Sequence, residues 1–187
     1  AKRVQFGEAF DAVVLASDAI DKLTASGHVQ AGSRTDLVHS SVAVAVQVGA
    51  APIDISTEAA LRQAVLNAAS LGVSTGPSGV QLAQQFDRWG ISDQIRDRIV
   101  QAQPGVPVAA MIAQGQVALG FQQLSEMMGV PGIQVLGALP EPVSITTTFS
   151  GGVASSAKHA AAVSALLAFW ASSACRDTQA RHGMLAA

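Results

Sequence analysis

Hydrophobic residues along the chain come in short runs punctuated by glycine, proline and hydroxyl-bearing residues, and the two periodicities of strand and helix alternate from end to end. The run Ala12-Val13-Val14-Leu15-Ala16 has strand length, and a short helix over 19–25 closed by Gly27 should follow it. Residues 41–48 alternate small with β-branched side chains and predict a long strand ending near Gly49 and Pro52. Ser56 or Thr57 is placed to cap a helix whose inner face carries Leu61, Val65 and Leu66. Leu71-Gly72-Val73 predicts a brief strand, and the turn Ser74-Thr75-Gly76-Pro77-Ser78-Gly79 leads into a helix with Val80, Ala83, Phe86 and Trp89, stopping at Gly90. Further helices are expected over 91–100 and 106–114, and strands over 117–121, 132–136 and 143–149. A long closing helix is expected over 158–179. Strands alternating with helices at this spacing imply βαβ units and a mainly parallel sheet.

The two β-rich segments at 41–48 and 143–149 bracket the middle of the chain. If both cross between lobes, the middle is one domain and the two ends together form another, the topology of a hinged two-lobe binder.

Composition narrows the function classes. Of 187 residues 49% are hydrophobic and 13% charged, and the net charge is −2 with no Lys/Arg cluster, so the footprint of a nucleic-acid binder is missing. The longest apolar runs are far shorter than a membrane span. Lys2 and Arg3 do not lead into a signal-like apolar stretch. Cys175, the single cysteine, can form no internal disulfide and reads as a small buried thiol. His28, His39, His159 and His182 stand at no metal-ligand spacing, and Ser155-Ser156-Ala157-Lys158 fits S-x-x-K without that motif's partners, so it reads as a helix start.

Four segments, in order, carry a family resemblance. They are Gly7-Glu8-Ala9-Phe10-Asp11 with the strand after it, Leu71-Gly72-Val73 with its Gly76-Pro77-Ser78-Gly79 turn, Gly115-Gln116-Val117-Ala118-Leu119-Gly120, and the ending from Leu166 through Arg181-His182-Gly183-Met184. Together the chain resembles the periplasmic substrate-binding proteins of ABC transporters, specifically the molybdate-binding-protein-like group. The resemblance implies an α/β, two-lobe type II periplasmic-binding-protein fold with mainly parallel sheets flanked by helices. Lobe 1 would be residues 1–45 plus 144–187, and lobe 2 residues 46–143. Family members normally begin with a further strand and helix, about fifty residues, ahead of the Asp11 segment, so the first lobe is expected to be incomplete here.

The resemblance also assigns roles. A helix N-terminus presents unpaired N–H groups and a positive dipole end, so an anion can bind there without a cationic side chain. On chemistry alone the 74–79 turn reads first as a helix cap; the resemblance makes it the second-lobe ligand loop, with Thr75, Ser78 and Gly79 against the anion. Val106, at the start of its expected helix, would offer a backbone N–H. Gln122 and Gln123 follow a buried strand near the site where molybdate binders of this family place tyrosine, which leaves room for a carboxylate or other small polar anion in place of molybdate. A solvated loop is the competing reading of that pair. Ser17 ends the first strand and either touches ligand or caps the next helix. The implied function is capture of a small oxyanion or other small anion in the periplasm, for hand-over to a membrane ABC permease, with no cofactor and no metal. The competing expectation is a repurposed relative, cytoplasmic in that case, acting as an enzyme or sensor on a small carboxylate.

Overall fold

A computed structural model describes residues 1–187. The chain divides into two compact units, one of residues 1–40 with 147–187 and one of residues 41–146. Two strands pass from one unit to the other, β2 (Thr35–Gln47) and β7 (Thr146–Val153).

The unit of residues 41–146 is built on the second half of β2 with β3 (Leu71–Val73), β4 (Ile99–Gln101), β5 (Leu119–Gln123) and β6 (Ile133–Ala138). Pairing is parallel where β4, β3 and β5 lie side by side, and antiparallel where β2 meets β5 and β6. Residues 42–46 of β2 are all buried, as expected for a strand covered on both faces. Period-two alternation divides them: Val42, Val44 and Val46 join a core with Leu61, Leu82 and Phe86, while Ala43 and Ala45 face Val108 and Ile112. The first core is closed by α3 (Glu58–Asn67) and α4 (Pro77–Arg88), with α5 (Ser92–Ile95) behind them. The second is closed by α6 (Val108–Ala113) and α7 (Leu124–Met127). Small residues on that side let α6 approach closely. A Cβ at Gly120 would come within 2.4 Å of Ile112 Cδ1, and one at Gly72 within 2.9 Å of Val108 Cγ1.

In the other unit, α1 (Lys2–Gln5) precedes β1 (Ala12–Ala16), which pairs antiparallel with β7. Helix α2 (Ser17–Ala25) covers one sheet face through Ile20 and Leu23, packed with Val13 and Val29. Helix α8 (Ala160–Trp170) covers the other through Val163 and Leu167, packed with Leu37 and Val153. Gly151 makes that crossing close, because a Cβ there would lie 2.3 Å from Leu167 Cδ2 and the leucine side chain would have to shift. The chain closes with α9 (Arg176–Arg181) and β8 (Met184–Ala186), which pairs antiparallel with β2.

Three expected helices have different bounds. The 91–100 segment is helical only to residue 98 and then supplies β4, since Ile99 and Val100 are β-branched and pair with Leu71 and Gly72. The Arg98 guanidinium fixes that junction by donating to the carbonyls of Leu66 and Ala68. The 158–179 segment breaks at Ser172, which is extended and donates its hydroxyl back to the Phe169 carbonyl at 2.6 Å. Cys175 therefore sits after the break, only half-buried. The expected helix over 106–114 begins two residues late, for a reason given with the site.

Candidate functional site

The parallel register places three chain segments at one sheet edge. Leu71 pairs with Ile99 and Leu119, and Gly72 with Val100 and Gly120, so β3, β4 and β5 share their carboxyl ends. Beyond those ends lie the 74–76 turn and the loop over 102–107, and the Gln122-Gln123 pair forms the end of β5 itself. The carboxyl edge of parallel strands is where open α/β sheets hold ligands.

At the turn, Gly76 is the N-cap of α4 and extended, Pro77 occupies the first helical position, and no side chain caps the helix. Proline has no N–H to lose there. The helix is amphipathic, burying Ser78, Leu82, Gln85 and Phe86, with the Phe86 ring edge-on to Phe121 at 6.1 Å. Ser78 is buried, and its hydroxyl lies 3.0 Å from that of Ser74, four residues back. One of these hydroxyls donates to the other, which leaves the second hydrogen for another acceptor. Gly79 donates its N–H to the Gly76 carbonyl at 3.1 Å, and a Cβ at position 79 would lie 2.0 Å from the Ser74 carbonyl oxygen. Only glycine fits that approach. Thr75 is exposed at the tip.

Gln122 and Gln123 lie inside β5, not beyond it, and both are buried. The solvated-loop alternative is thereby excluded. The Gln122 Oε1 accepts from the Ala109 backbone N–H at 2.9 Å. Pro107 is the N-cap of α6 and has no side-chain oxygen, so the glutamine from the neighbouring strand takes a cap's place.

Val106 does not start a helix. It precedes Pro107, and the residue before a proline is held out of helical geometry, so α6 begins at Val108. Its N–H is used within the turn, donating to the Gln103 carbonyl at 2.9 Å. The structure thus brings Thr75, Ser78, Gly79 and Gln122 to elements at one sheet edge and commits the Val106 amide elsewhere. Ser74, a hydroxyl donor of the turn on sequence but not one of the residues the resemblance sets against the anion, joins them through its bond with Ser78, four residues on across the Gly-Pro turn.

No lysine occurs between residues 41 and 146. Three of the four arginines there have partners: Arg88 with Gln85, Arg96 with Asp93, and Arg98 with the two carbonyls already named. The donors described at this edge, the Ser74, Thr75 and Ser78 hydroxyls with the backbone amides, are neutral. No group of three or more His, Cys, Asp or Glu side chains is placed to hold a metal ion.

Ser17 belongs to the other unit. It is the first residue of α2, whose N-cap is Ala16 with no side-chain capping bond, so the serine does not cap. Asp11 does the capping in this unit. Its Oδ1 accepts from the backbone N–H groups of Lys158 (2.7 Å) and His159 (3.2 Å) ahead of α8, and those two bonds hold its carboxyl below the usual aspartate range. The Ser155-to-Lys158 stretch is accordingly the entry to α8, with the Ser155 hydroxyl donating to the Gly27 carbonyl.

An α/β chain in two units, with two strands passing between them, is the fold of the type II periplasmic binding proteins. A model of the bacterial extracellular solute-binding proteins matches residues 1–185, and the chain belongs to that family. An aconitate isomerase from Pseudomonas sp. is 39% identical over 176 residues, a match spanning 91% of this chain and 65% of that protein. This chain therefore spans about two-thirds of that relative's length. Among solved structures, the periplasmic molybdate-binding protein of Azotobacter vinelandii superposes with a TM-score of 0.80 at 17% identity, covering 98% of this chain and 81% of that one. The sulfate-binding protein of Mycobacterium tuberculosis gives 0.74 at 17% identity, covering 98% and 71%. No helix of the chain is long and apolar enough to cross a membrane.

Proposed function

We propose that the chain binds a small carboxylate anion at the carboxyl edge of β3, β4 and β5, with the 74–79 turn as its principal contact. The observation that carries this reading is the start of α4. It has no side-chain cap, a hydroxyl pair of buried Ser78 and half-buried Ser74 with one hydrogen to spare, and a glycine that lets the backbone come close. An anion there completes what the helix start leaves open: the Ser78 hydroxyl and backbone N–H donate, the Gly79 and Val80 amides being bonded to the Gly76 carbonyl, and the helix dipole contributes roughly 0.3–1 kcal/mol, up to ~2 when partly buried. Thr75 can add a hydroxyl from the tip.

A carboxylate is favoured over molybdate or sulfate by two things. The Gln122 Oε1 serves α6, and its Nε2 remains as a neutral amide donor in place of a hydroxyl. The 39% identical relative acts, by its name, on aconitate, whereas the oxyanion binders are alike in fold only. In this reading the protein works outside the cytoplasm and presents its anion to an ABC permease.

A second reading, isomerase action on the bound carboxylate, is favoured by the same relative. The two readings share the anion cradle and differ in whether bound substrate is converted. Titration calorimetry with cis-aconitate, trans-aconitate, citrate, molybdate and sulfate tests the first, and proton NMR of the aconitate solutions tests the second. Saturable binding of a carboxylate, weakened at least about tenfold by Ser78→Ala (~1.4 kcal/mol), supports the proposal. Tight molybdate or sulfate binding with none of any carboxylate overturns it. Interconversion of the aconitate isomers by the wild-type chain establishes the enzyme.

A further inference from the structure

The chain joining β4 to α6 includes Gln103-Pro104-Gly105-Val106-Pro107, and it is pinned at both ends. At its start, the Ala102 N–H donates to the Val73 carbonyl at 2.9 Å. That bond carries the β3–β4 ladder one step past the paired strands, up to the residue before Ser74. At its end, Val108 packs over Gly72, where a Cβ would lie 2.9 Å from its Cγ1, and the Ala109 N–H is bonded to Gln122 Oε1. The loop is therefore tied to the 74–79 turn at one end and to Gln122 at the other.

Between these ties its shape is preset. Pro104 stands second and Gly105, with a φ of 85°, stands third in a turn closed by the Val106 N–H on the Gln103 carbonyl at 2.9 Å. Those are the marks of a type II turn. Pro107 then holds Val106 in extended backbone. The side chain so presented is apolar and 44% exposed. A single exposed valine on open surface is ordinary. Val106 differs by its place, because the groups described at this sheet edge are hydroxyls and amides, and a loop locked by two prolines holds hydrocarbon out beside them. An inorganic oxyanion gains nothing from such a surface, whereas the carbon chain of an organic acid gains by leaving water against it.

We infer that, granted the carboxylate site proposed above, Val106 determines its specificity: the valine side chain takes the carbon skeleton of an organic acid whose carboxylate is held at the start of α4. The ligand class is then an acid with C–H groups next to the bound carboxylate. A turn already locked in the free protein loses little freedom on binding, which favours this role. The Val106 N–H is spent within the turn, so the side chain is what the position has to offer.

The test uses the whole 187-residue chain, with trans-aconitate and oxalate as probes. Intermolecular nuclear Overhauser effects on the wild-type chain should join the Val106 methyl groups to the methylene or vinyl protons of bound trans-aconitate. Val106→Thr keeps the branched shape suited to extended backbone ahead of Pro107 and replaces one methyl by a hydroxyl. One methylene in an enclosed pocket is worth roughly 10–200-fold, so at this half-covered position the variant should weaken trans-aconitate at least about fivefold in titration calorimetry. Oxalate, which has no C–H group, should bind the wild-type chain more weakly than trans-aconitate by at least the same factor. An unchanged trans-aconitate affinity in Val106→Thr, Overhauser effects confined to other residues, or oxalate binding as tightly as trans-aconitate overturns the inference and leaves the carboxylate site standing. Absence of binding by both acids to the wild-type chain removes the carboxylate site itself, and the role of Val106 with it.

Discussion

Replacing Gln122 by Met keeps the length and apolar stem of the side chain and removes the amide that serves α6. The bond from Ala109 N–H to Gln122 Oε1 is 2.9 Å long, and both residues are buried, so no water takes over the donor. Stranding a buried donor costs about 1–3 kcal/mol, and a lost N-cap costs about 0.5–2 kcal/mol by the same physics. The two ranges describe one event and are not added. For a chain of this size 1 kcal/mol moves the melting temperature by roughly 2–4 °C, so Q122M should melt roughly 2–12 °C lower. Urea unfolding should give the matching free-energy loss with an unchanged slope. Amide exchange supplies the local readout: the Ala109 amide should exchange faster in Q122M, while amides of α3 keep their protection relative to global stability. A Q122M protein within about 0.5 kcal/mol of wild type, with Ala109 exchange unchanged, would refute the capping role and return Gln122 to the list of side chains free for ligand.

Other outcomes follow from single contacts. Gly79→Ala places a Cβ 2.0 Å from a backbone oxygen, so the turn must move; carboxylate affinity should fall at least about tenfold in calorimetry (~1.4 kcal/mol), and an unchanged affinity would remove the turn from the site. Leu167→Ala empties a fully buried position beneath Gly151 and should cost about 2–5 kcal/mol in urea unfolding. Asp11 has a folded pKa depressed by the Lys158 and His159 amides, so its contribution is fully present above the unfolded aspartate value, about 3.9, and is lost as pH falls through the folded value. Asp11→Asn should therefore be less stable than wild type at neutral pH, with the gap closing in acid; a gap independent of pH would contradict that origin.

Strands and the family were legible wherever local pattern and tertiary environment agree. Leu71-Gly72-Val73 forms the strand its composition predicts, and Thr57 caps α3 by accepting from Ala60 at 3.1 Å. Alternating valine and alanine in β2 encode two faces, one thick and one close to α6, and the small residues at Gly72 and Gly120 complete that logic. Illegible features depend on partners distant in sequence. Strand β4 follows a charged, helix-like stretch and exists because β3 offers an edge to Ile99 and Val100. The α6 cap comes from thirteen residues downstream, across a strand, so no local motif announces it. Val106 was misjudged for a local reason that was available, since Pro107 bars it from helical geometry. At the turn, glycine, proline and serine were visible as types, but the closeness of Gly79 to Ser74 and the Ser74–Ser78 hydroxyl pair depend on the fold.

The most direct test of the central claim is a two-dimensional amide NMR titration of the wild-type chain with trans-aconitate, repeated with molybdate. If the start of α4 is an anion cradle for a carboxylate, the largest saturable shifts with aconitate should fall on the amides of Ser78, Gly79 and Val80, and molybdate should leave them in place. Shifts confined to other parts of the chain, or none at saturating aconitate, would contradict the account.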